Sequence, residues 1–258
     1  MLTATQCDQA ARHLLAARRA GQPALRLAEA CRPTDVADAL AIQRRVQELL
    51  GVQTGGWKCS VPTAGRSIAC AAIFATTIAR ASPWRVIDRG GQARIEPEVA
   101  FVLGRDLPSR ATPYAEPEVR AAIAETRLVL ELLGSRYADP SGVEFPELLA
   151  DHVSNQGLFV GPIVRDGLQR QLDAFALVVE TPSTTLFAGE GRHPDGHPLR
   201  PLVWLANFLA SRAEMGGLTA GTIVTTGSYA GVLEVPLGTP LRVTFGGLGE
   251  LGVELRAA

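Results

Sequence analysis

Three acidic residues offer the most legible chemistry in this chain. The segment Arg94-Ile95-Glu96-Pro97-Glu98-Val99-Ala100-Phe101-Val102-Leu103 reads as a strand. Side chains on a strand alternate faces, so Glu96 and Glu98 share one face with Ala100 and Val102. Two carboxylates on one face repel each other unless something positive lies between them. Pro97 has no N–H to give a ladder, so an edge strand or a bulge is expected there. In a second segment Glu131 is flanked by Leu128-Val129-Leu130 and Leu132-Leu133-Gly134, which predicts burial on both faces of a strand. An isolated buried carboxylate is costly or neutralises itself, so Glu131 needs a cation. Placed near Glu96 and Glu98 it would complete an all-oxygen site suited to Mg²⁺ or Mn²⁺ and poorly suited to zinc. On the residues alone two plainer readings stand beside this one: Glu-Pro-Glu on a solvated edge, and Glu131 paired with Arg127 or Arg136.

Lys58 is the second chemical signal. It is the only lysine of the chain and lies in Gly55-Gly56-Trp57-Lys58-Cys59. Glycines permit close backbone approach, and an ammonium is a compact charge whose pKa responds to its surroundings. Lys58 is therefore a candidate to bind a carboxylate or to handle protons; the plain alternative is a surface lysine.

Other motifs fail on context. Gly247-Leu248-Gly249-Glu250-Leu251-Gly252 matches G-x-G-x-x-G, but too little chain follows for the helix and acidic residue of a dinucleotide site. A glycine-bent strand end is expected instead. His193 and His197 stand four apart, but Pro194, Gly196 and Pro198 forbid the helix needed to align them on zinc. Gly227-Ser228-Tyr229-Ala230-Gly231 is not a nucleophile elbow, and no phosphate-binding G-x-x-x-x-G-K-[ST] loop occurs. Cys7, Cys31, Cys59 and Cys70 have no zinc or redox spacing, so reduced, mostly buried thiols are expected.

These side chains need a scaffold, and the composition supplies one. The 258 residues are 47% hydrophobic and 20% charged, enough apolar content for a large core. A net charge of −1 with no basic run argues against nucleic-acid binding. No apolar run approaches ~18 residues, so no membrane helix is expected, and a cytoplasmic location follows by default. The first 50 residues read as two helices. One is capped by Thr3, runs to about Arg19 and ends at Gly21; the other is capped by Thr34 and ends at Gly51. Beyond residue 52, short apolar runs alternate with Gly and Pro. Strands are expected at 54–59, 93–104, 127–134, 158–164, 174–180, 222–226, 241–245 and 251–255, with helices at 116–125 and 202–215. So few helices exclude a doubly wound sheet. The expected fold class is α+β, with a helical N-terminal segment over 1–52 and a β-rich catalytic domain over 53–258, together one structural unit.

In shared order these segments resemble the 2-keto-4-pentenoate hydratase group of the fumarylacetoacetate hydrolase superfamily. Gly56-Trp57-Lys58 resembles that family's lysine strand. Glu96-Pro97-Glu98-Val99-Ala100-Phe101 resembles its E-x-E metal motif. Leu130-Glu131-Leu132 with Ser135-Arg136 resembles its third ligand and following Ser-Arg. Leu149-Ala150-Asp151-His152, with Ser154 after it, approximates L-A-D-N. His197-Pro198, Trp204-Leu205-Ala206-Asn207 and Gly221–Ser228 match its later blocks. Two departures stand out. Thr76, after Ile73-Phe74-Ala75, occupies the place of an acidic residue in the pathway hydratases, and His152 replaces the Asn.

The resemblance implies a mixed sheet or roll of the fumarylacetoacetate hydrolase type. It also implies Mg²⁺ or Mn²⁺ on Glu96, Glu98 and Glu131, Lys58 as the catalytic residue, and Ser154, Thr226 and Arg136 as substrate contacts. The implied partner is a small 2-oxo acid, with neither nucleic acid nor membrane involved. The implied activity is a lyase of aromatic catabolism that adds water to a 2-hydroxypenta-2,4-dienoate-like substrate. Alternatives are a 2-oxo-acid (oxalocrotonate-type) decarboxylase, an acylpyruvate C–C hydrolase, and a non-catalytic oxo-acid-binding homologue. Apolar strand edges and the resemblance both point to a homo-oligomer.

Overall fold

The computed structural model describes residues 1–64 and 67–258. Helices α1 (Ala4–Ala20) and α2 (Val36–Leu50) open the chain. Thr3 caps α1 through a reciprocal exchange with Gln6, and Gly21 closes it at φ +62°. Such left-handed closure costs glycine least. Helix α2 is capped by Asp35, whose carboxylate accepts from the Asp38 N–H, and not by Thr34 as expected. Asp fills this position as readily as Thr, and one residue decides which oxygen reaches the first turn.

Among the described residues thirteen strands form two sheets. Strands β1 (Thr54–Ser60), β2 (Ala69–Phe74), β3 (Ile78–Ala79), β5 (Gln92–Leu103), β6 (Ile123–Leu133), β7 (Asn155–Ile163), β10 (Ile223–Thr225) and β11 (Leu233–Pro236) make the larger one. Its order is β2-β1-β10-β5-β6-β7-β3, with β11 also pairing β5. Strands β4 (Trp84–Val86), β8 (Ala174–Glu180), β9 (Thr185–Arg192), β12 (Pro240–Phe245) and β13 (Glu250–Ala257) make the smaller one, ordered β4-β13-β12-β8-β9. Pairing in both sheets is mixed: β1 runs parallel to β10 and β4 parallel to β13, whereas β5 and β6 are antiparallel. The fold is thus the expected β-rich mixed type.

Pro97 explains a local feature of β5. The strand is interior, not an edge, yet β11 pairs only residues 92–95 and β10 only 100–102. Among the described residues none pairs with 96–99 as a strand on that side. A residue without an N–H is tolerated there, and the gap leaves room for the neighbouring carboxylates.

Three further helices were read with partial success. Helix α3 (Glu116–Ala122) stops where β6 begins at Ile123, three residues short of the expected end. The β-branched and alternating run after Ala122 pairs with β5, and tertiary pairing overrides the local helical pattern. Helix α5 (Leu199–Ala210) starts and ends earlier than expected. Helix α4 (Phe145–Ala150) is short and was not anticipated. The G-x-G-x-x-G run lies at the turn joining β12 and β13, with Gly249 at φ +141°, as a glycine-bent strand end requires.

Packing gives the large sheet two faces. Phe101, Leu128, Leu130 and Leu132 point to the main core, against Val179, Val243 and Val253 of the small sheet and Leu205 of α5. Ile73, Ala100, Val129, Leu158 and Ile223 form a smaller apolar cluster on the opposite face. The N-terminal helices pack through Leu14, Ile42 and Val46 onto Phe74, Tyr137 and Leu149.

Candidate functional site

The carboxylates of Glu96, Glu98 and Glu131 meet on that second face. One ligand oxygen from each lies within 4.8 Å of the others. Glu96 stands directly opposite Glu131 in the β5–β6 register, and Glu98 is two residues along on the same face. Glu98 and Glu131 are buried, while Glu96 is half-buried.

Each carboxylate is held in place. The Thr225 hydroxyl and the Gly227 N–H donate to Glu98 Oε2, the latter at 2.8 Å. Asn155 Nδ2 donates to Glu131 Oε1 at 3.0 Å and also to the Gly157 carbonyl. Lys58 Nζ, delivered from β1, donates to Glu131 Oε1 at 2.5 Å and to the Val153 carbonyl at 3.3 Å. Lys58 supplies the cation that Glu131 needed. Arg127 instead bonds Glu125, and Arg136 bonds Asp151.

The charges do not balance. Among the described residues three acids face one ammonium, with the Arg94 charge acting on Glu96 alone. Burial pushes the Glu98 carboxyl up to about 8, and repulsion from Glu131 and Glu96 adds to it. Burial likewise raises Glu96 to about 7; Lys58 draws it back and Glu131 adds repulsion. Burial opposes the charged form of Lys58, but Glu131, Glu96 and Glu98 outweigh it and hold its pKa above the ordinary value. A divalent cation would offset the excess charge, and an all-carboxylate donor set fits a hard ion such as Mg²⁺ or Mn²⁺.

These groups line a cavity of about 280 Å³, with Cys59, Ser60, Ala69, Val153, Pro194 and Ser228 among its walls. A larger groove of about 880 Å³ lies along α1 and α2. It is wide open, and of its three acids Asp8 and Glu48 are bridged by Arg12 and Arg45, which leaves Glu214 and no comparable cluster.

Arg136, Ser154 and Thr226 are not among the residues lining the cavity. Arg136 is fully buried. Its guanidinium bonds the Asp151 carboxylate, the Asp151 carbonyl and the Gly134 carbonyl, which leaves little capacity for a substrate. The Thr226 hydroxyl is buried against the Val99 carbonyl and His193. Ser154 closes a turn of left-handed residues, His152, Val153 and Ser154, with φ of +54°, +50° and +62°. For a β-branched residue such as Val153 this is an outlier, and each such residue costs about 1–3 kcal/mol. Asn155, Thr225 and the Gly227 N–H were missed by sequence reasoning. Thr225 is adjacent to the expected Thr226, and only the strand register tells which of the two hydroxyls faces Glu98. Thr76 is exposed and stands apart from the cavity lining. The ring nitrogens of His193 and His197 accept from the N–H groups of Asp195 and Leu199. All four cysteines are free thiols, and Cys31, Cys59 and Cys70 are buried.

No family model matches the chain. Among curated proteins it is similar to 2-keto-4-pentenoate hydratase 1 of Dechloromonas aromatica, 32% identical over 171 residues, 62% of this chain and 59% of that one. It is also similar to a 4-oxalocrotonate decarboxylase of Pseudomonas sp, 28% identical over 165 residues, 61% of this chain and 59% of that one. The match thus spans about three fifths of the length of these curated relatives. Among solved structures, 4-oxalocrotonate decarboxylase from Pseudomonas putida G7, complexed with magnesium and adipate, has a TM-score of 0.79 at 20% identity, covering 99% of each chain. The fold is one that fumarylacetoacetate hydrolase-type proteins share. In sequence the chain is similar to the 2-keto-4-pentenoate hydratases and the 4-oxalocrotonate decarboxylases alike. No helix among the described residues is long and apolar enough to cross a membrane.

Proposed function

We propose that this protein is a metal-dependent lyase acting on a 2-oxo or 2-hydroxydienoic acid, adding water to a 2-hydroxypenta-2,4-dienoate-like substrate. The observation that carries the reading is the meeting of Glu96, Glu98 and Glu131 with the chain's sole lysine in one cavity. Glu96, Glu98 and Glu131 would hold Mg²⁺ or Mn²⁺, which when bound supplies Lewis-acid polarisation of the 2-oxo group.

The protein's own groups do the rest. Two of the three Lys58 protons are committed, to Glu131 and to the Val153 carbonyl. The third is available to a substrate oxygen, and Lys58 carries the proton that must travel between the 2-hydroxyl oxygen and the distal carbon. That transfer leaves a 2-oxo acid with its alkene between C3 and C4; water then adds OH to C4 and H to C3, so the net change is gain of one water to give a 4-hydroxy-2-oxo acid, with no oxidation. Val153, Ala69 and Pro194 give the cavity its apolar walls, which limit water to what the reaction uses.

A second reading is decarboxylation, in which CO₂ leaves and its electron pair passes to the 2-oxo group. It is favoured by the sequence likeness to a 4-oxalocrotonate decarboxylase, 28% identical over 61% of this chain. A screen of 2-oxo and 2-hydroxydienoic acids with Mg²⁺, with products identified by mass spectrometry, tests both. A product heavier by one water supports hydration; CO₂ release supports decarboxylation. Absence of turnover across the panel overturns the enzymatic reading.

A further inference from the structure

The left-handed turn at 152–154 is pinned at both ends by the segment that follows β6. Arg136 Nη2 donates to the Asp151 carbonyl at 2.6 Å, and the Ser154 N–H donates to the same carbonyl at 3.0 Å. The Gly134 N–H donates to the Ser154 carbonyl at 2.8 Å. The Asp151 carboxylate takes the Arg136 Nε–H and, at 2.9 Å, the Arg136 backbone N–H. Both side chains of this pair are about 1% exposed.

Between these anchors three non-glycine residues hold a conformation that L-residues avoid. Strain of that kind persists only where the surroundings over-determine it. Its product is local: it aims the Val153 carbonyl at Lys58 Nζ, 3.3 Å away. With Glu131 on another side, the ammonium is held from two directions and its remaining proton has a fixed aim.

From this we infer that Arg136 and Asp151 are positioning residues, which clamp the 152–154 turn so that the Val153 carbonyl orients the Lys58 ammonium toward substrate. The inference rests on the lyase reading above for the word substrate, but not for the geometry. It gives Arg136 a task behind the cavity wall instead of a contact with the ligand.

The sole lysine makes a direct test possible. In full-length protein labelled with ¹³C,¹⁵N-lysine and loaded with Mg²⁺, the two Lys58 Hε protons are expected to be inequivalent, as in an immobilised side chain. In Asp151→Asn they are expected to converge. The kcat on the best substrate of the screen should fall by about a hundredfold, the cost of a small misplacement of a reacting group. KM and Mn²⁺ affinity by calorimetry should stay within about threefold, a bound set by the carboxylate cluster being untouched. Arg136→Lys, which keeps a cation for Asp151 but loses the fork that reaches the Asp151 and Gly134 carbonyls, should show a smaller loss of the same kind; if Asp151→Asn does not fold, that loss in Arg136→Lys is the one read against wild type. Retention of the wild-type lysine signal and kcat in these variants overturns the inference, as does a loss of Mn²⁺ affinity parallel to the loss of kcat. If the wild-type protein turns over no acid of the panel, the lyase reading falls, while the lysine signals alone still decide whether the clamp exists.

Discussion

Glu96 and Glu131 are a directly opposed cross-strand pair of like charges on the β5–β6 ladder. Such a pair destabilises a sheet on its own. A fold that keeps it in a half-buried cavity, with Glu98 beside it, gives up stability at a place where ligand binding can return it. The chain's behaviour with and without divalent metal follows from this pair.

Replacing Glu131 by Gln should weaken Mn²⁺ binding by at least tenfold, roughly the scale on which metal sites respond to altered ligation. Titration calorimetry measures it. The same change leaves Lys58, only 11% exposed in its side chain, without its ion-pair partner. Urea denaturation of the metal-free variant should show a loss smaller than the about 3–5 kcal/mol of a buried charge left with no counter-ion, because Glu96 and Glu98 still face the ammonium and the Glu96–Glu131 repulsion is gone.

The pH dependence of metal-free stability has a defined sign. Burial raises Glu96 to about 7 and Glu98 to about 8 in the folded protein. Between the ordinary carboxyl range and those values the folded state binds more protons than the unfolded one, so stability falls as pH rises. Metal-free Tm should therefore decline from about pH 4.5 to pH 8 by way of these groups. Saturating Mg²⁺ should flatten or reverse the decline. Differential scanning calorimetry across that window checks it, and a metal-free Tm that climbs over pH 6–8 would contradict the raised carboxyls.

Gly56 sets the approach of β1 to β10. A Cβ there would meet the Ile223 carbonyl oxygen at 2.6 Å and its side chain at 2.8 Å. Backbone cannot yield as a side-chain tip can. Gly56→Ala should displace the strand that carries Lys58 and cut kcat about a hundredfold, the scale of a 1 Å misplacement. Mn²⁺ affinity should remain near wild type, because Glu96, Glu98 and Glu131 lie on β5 and β6. Parallel kinetics and calorimetry separate the two effects.

Lys58→Met keeps most of the side-chain volume and removes the proton. Turnover should drop by about 10²–10⁴, the usual worth of a positioned general acid or base, with Mn²⁺ still bound. Wild-type rates in this variant would make Lys58 a structural counter-ion of Glu131 and nothing more.

Much of this site could be read before any coordinates. The alternation at 94–103 placed Glu96 and Glu98 on one face, and the apolar run around Glu131 required burial and a cation. Both follow from strand periodicity and the cost of burying charge. What the sequence left open was the identity of that cation: a divalent ion, Arg127 and Arg136 were the candidates, whereas Lys58, which pairs with Glu131, was read only as a group for substrate or protons. The choice depends on a curled sheet carrying β1 round to β6, which is long-range pairing. Strands β2, β3, β4, β9 and β11 were missed. β3, β4 and β11 have two to four residues and are ordered by β7, β13 and β5, distant in sequence, while β2 and β9 pair with adjacent strands but show little alternation of apolar and polar residues. Pro97 was read as marking an edge strand or a bulge; it lies instead in a gap between two partner strands, which one strand's composition cannot tell from either. The turn at 152–154 left no signal, because His-Val-Ser is not a sequence that chooses left-handed backbone.

The central claim is best tested by anomalous scattering from a crystal grown with Mn²⁺. An anomalous peak within coordination distance of carboxylate oxygens from Glu96, Glu98 and Glu131 is the predicted result. An ion bound elsewhere, or well-ordered carboxylates with no peak among them at saturating Mn²⁺, would contradict it.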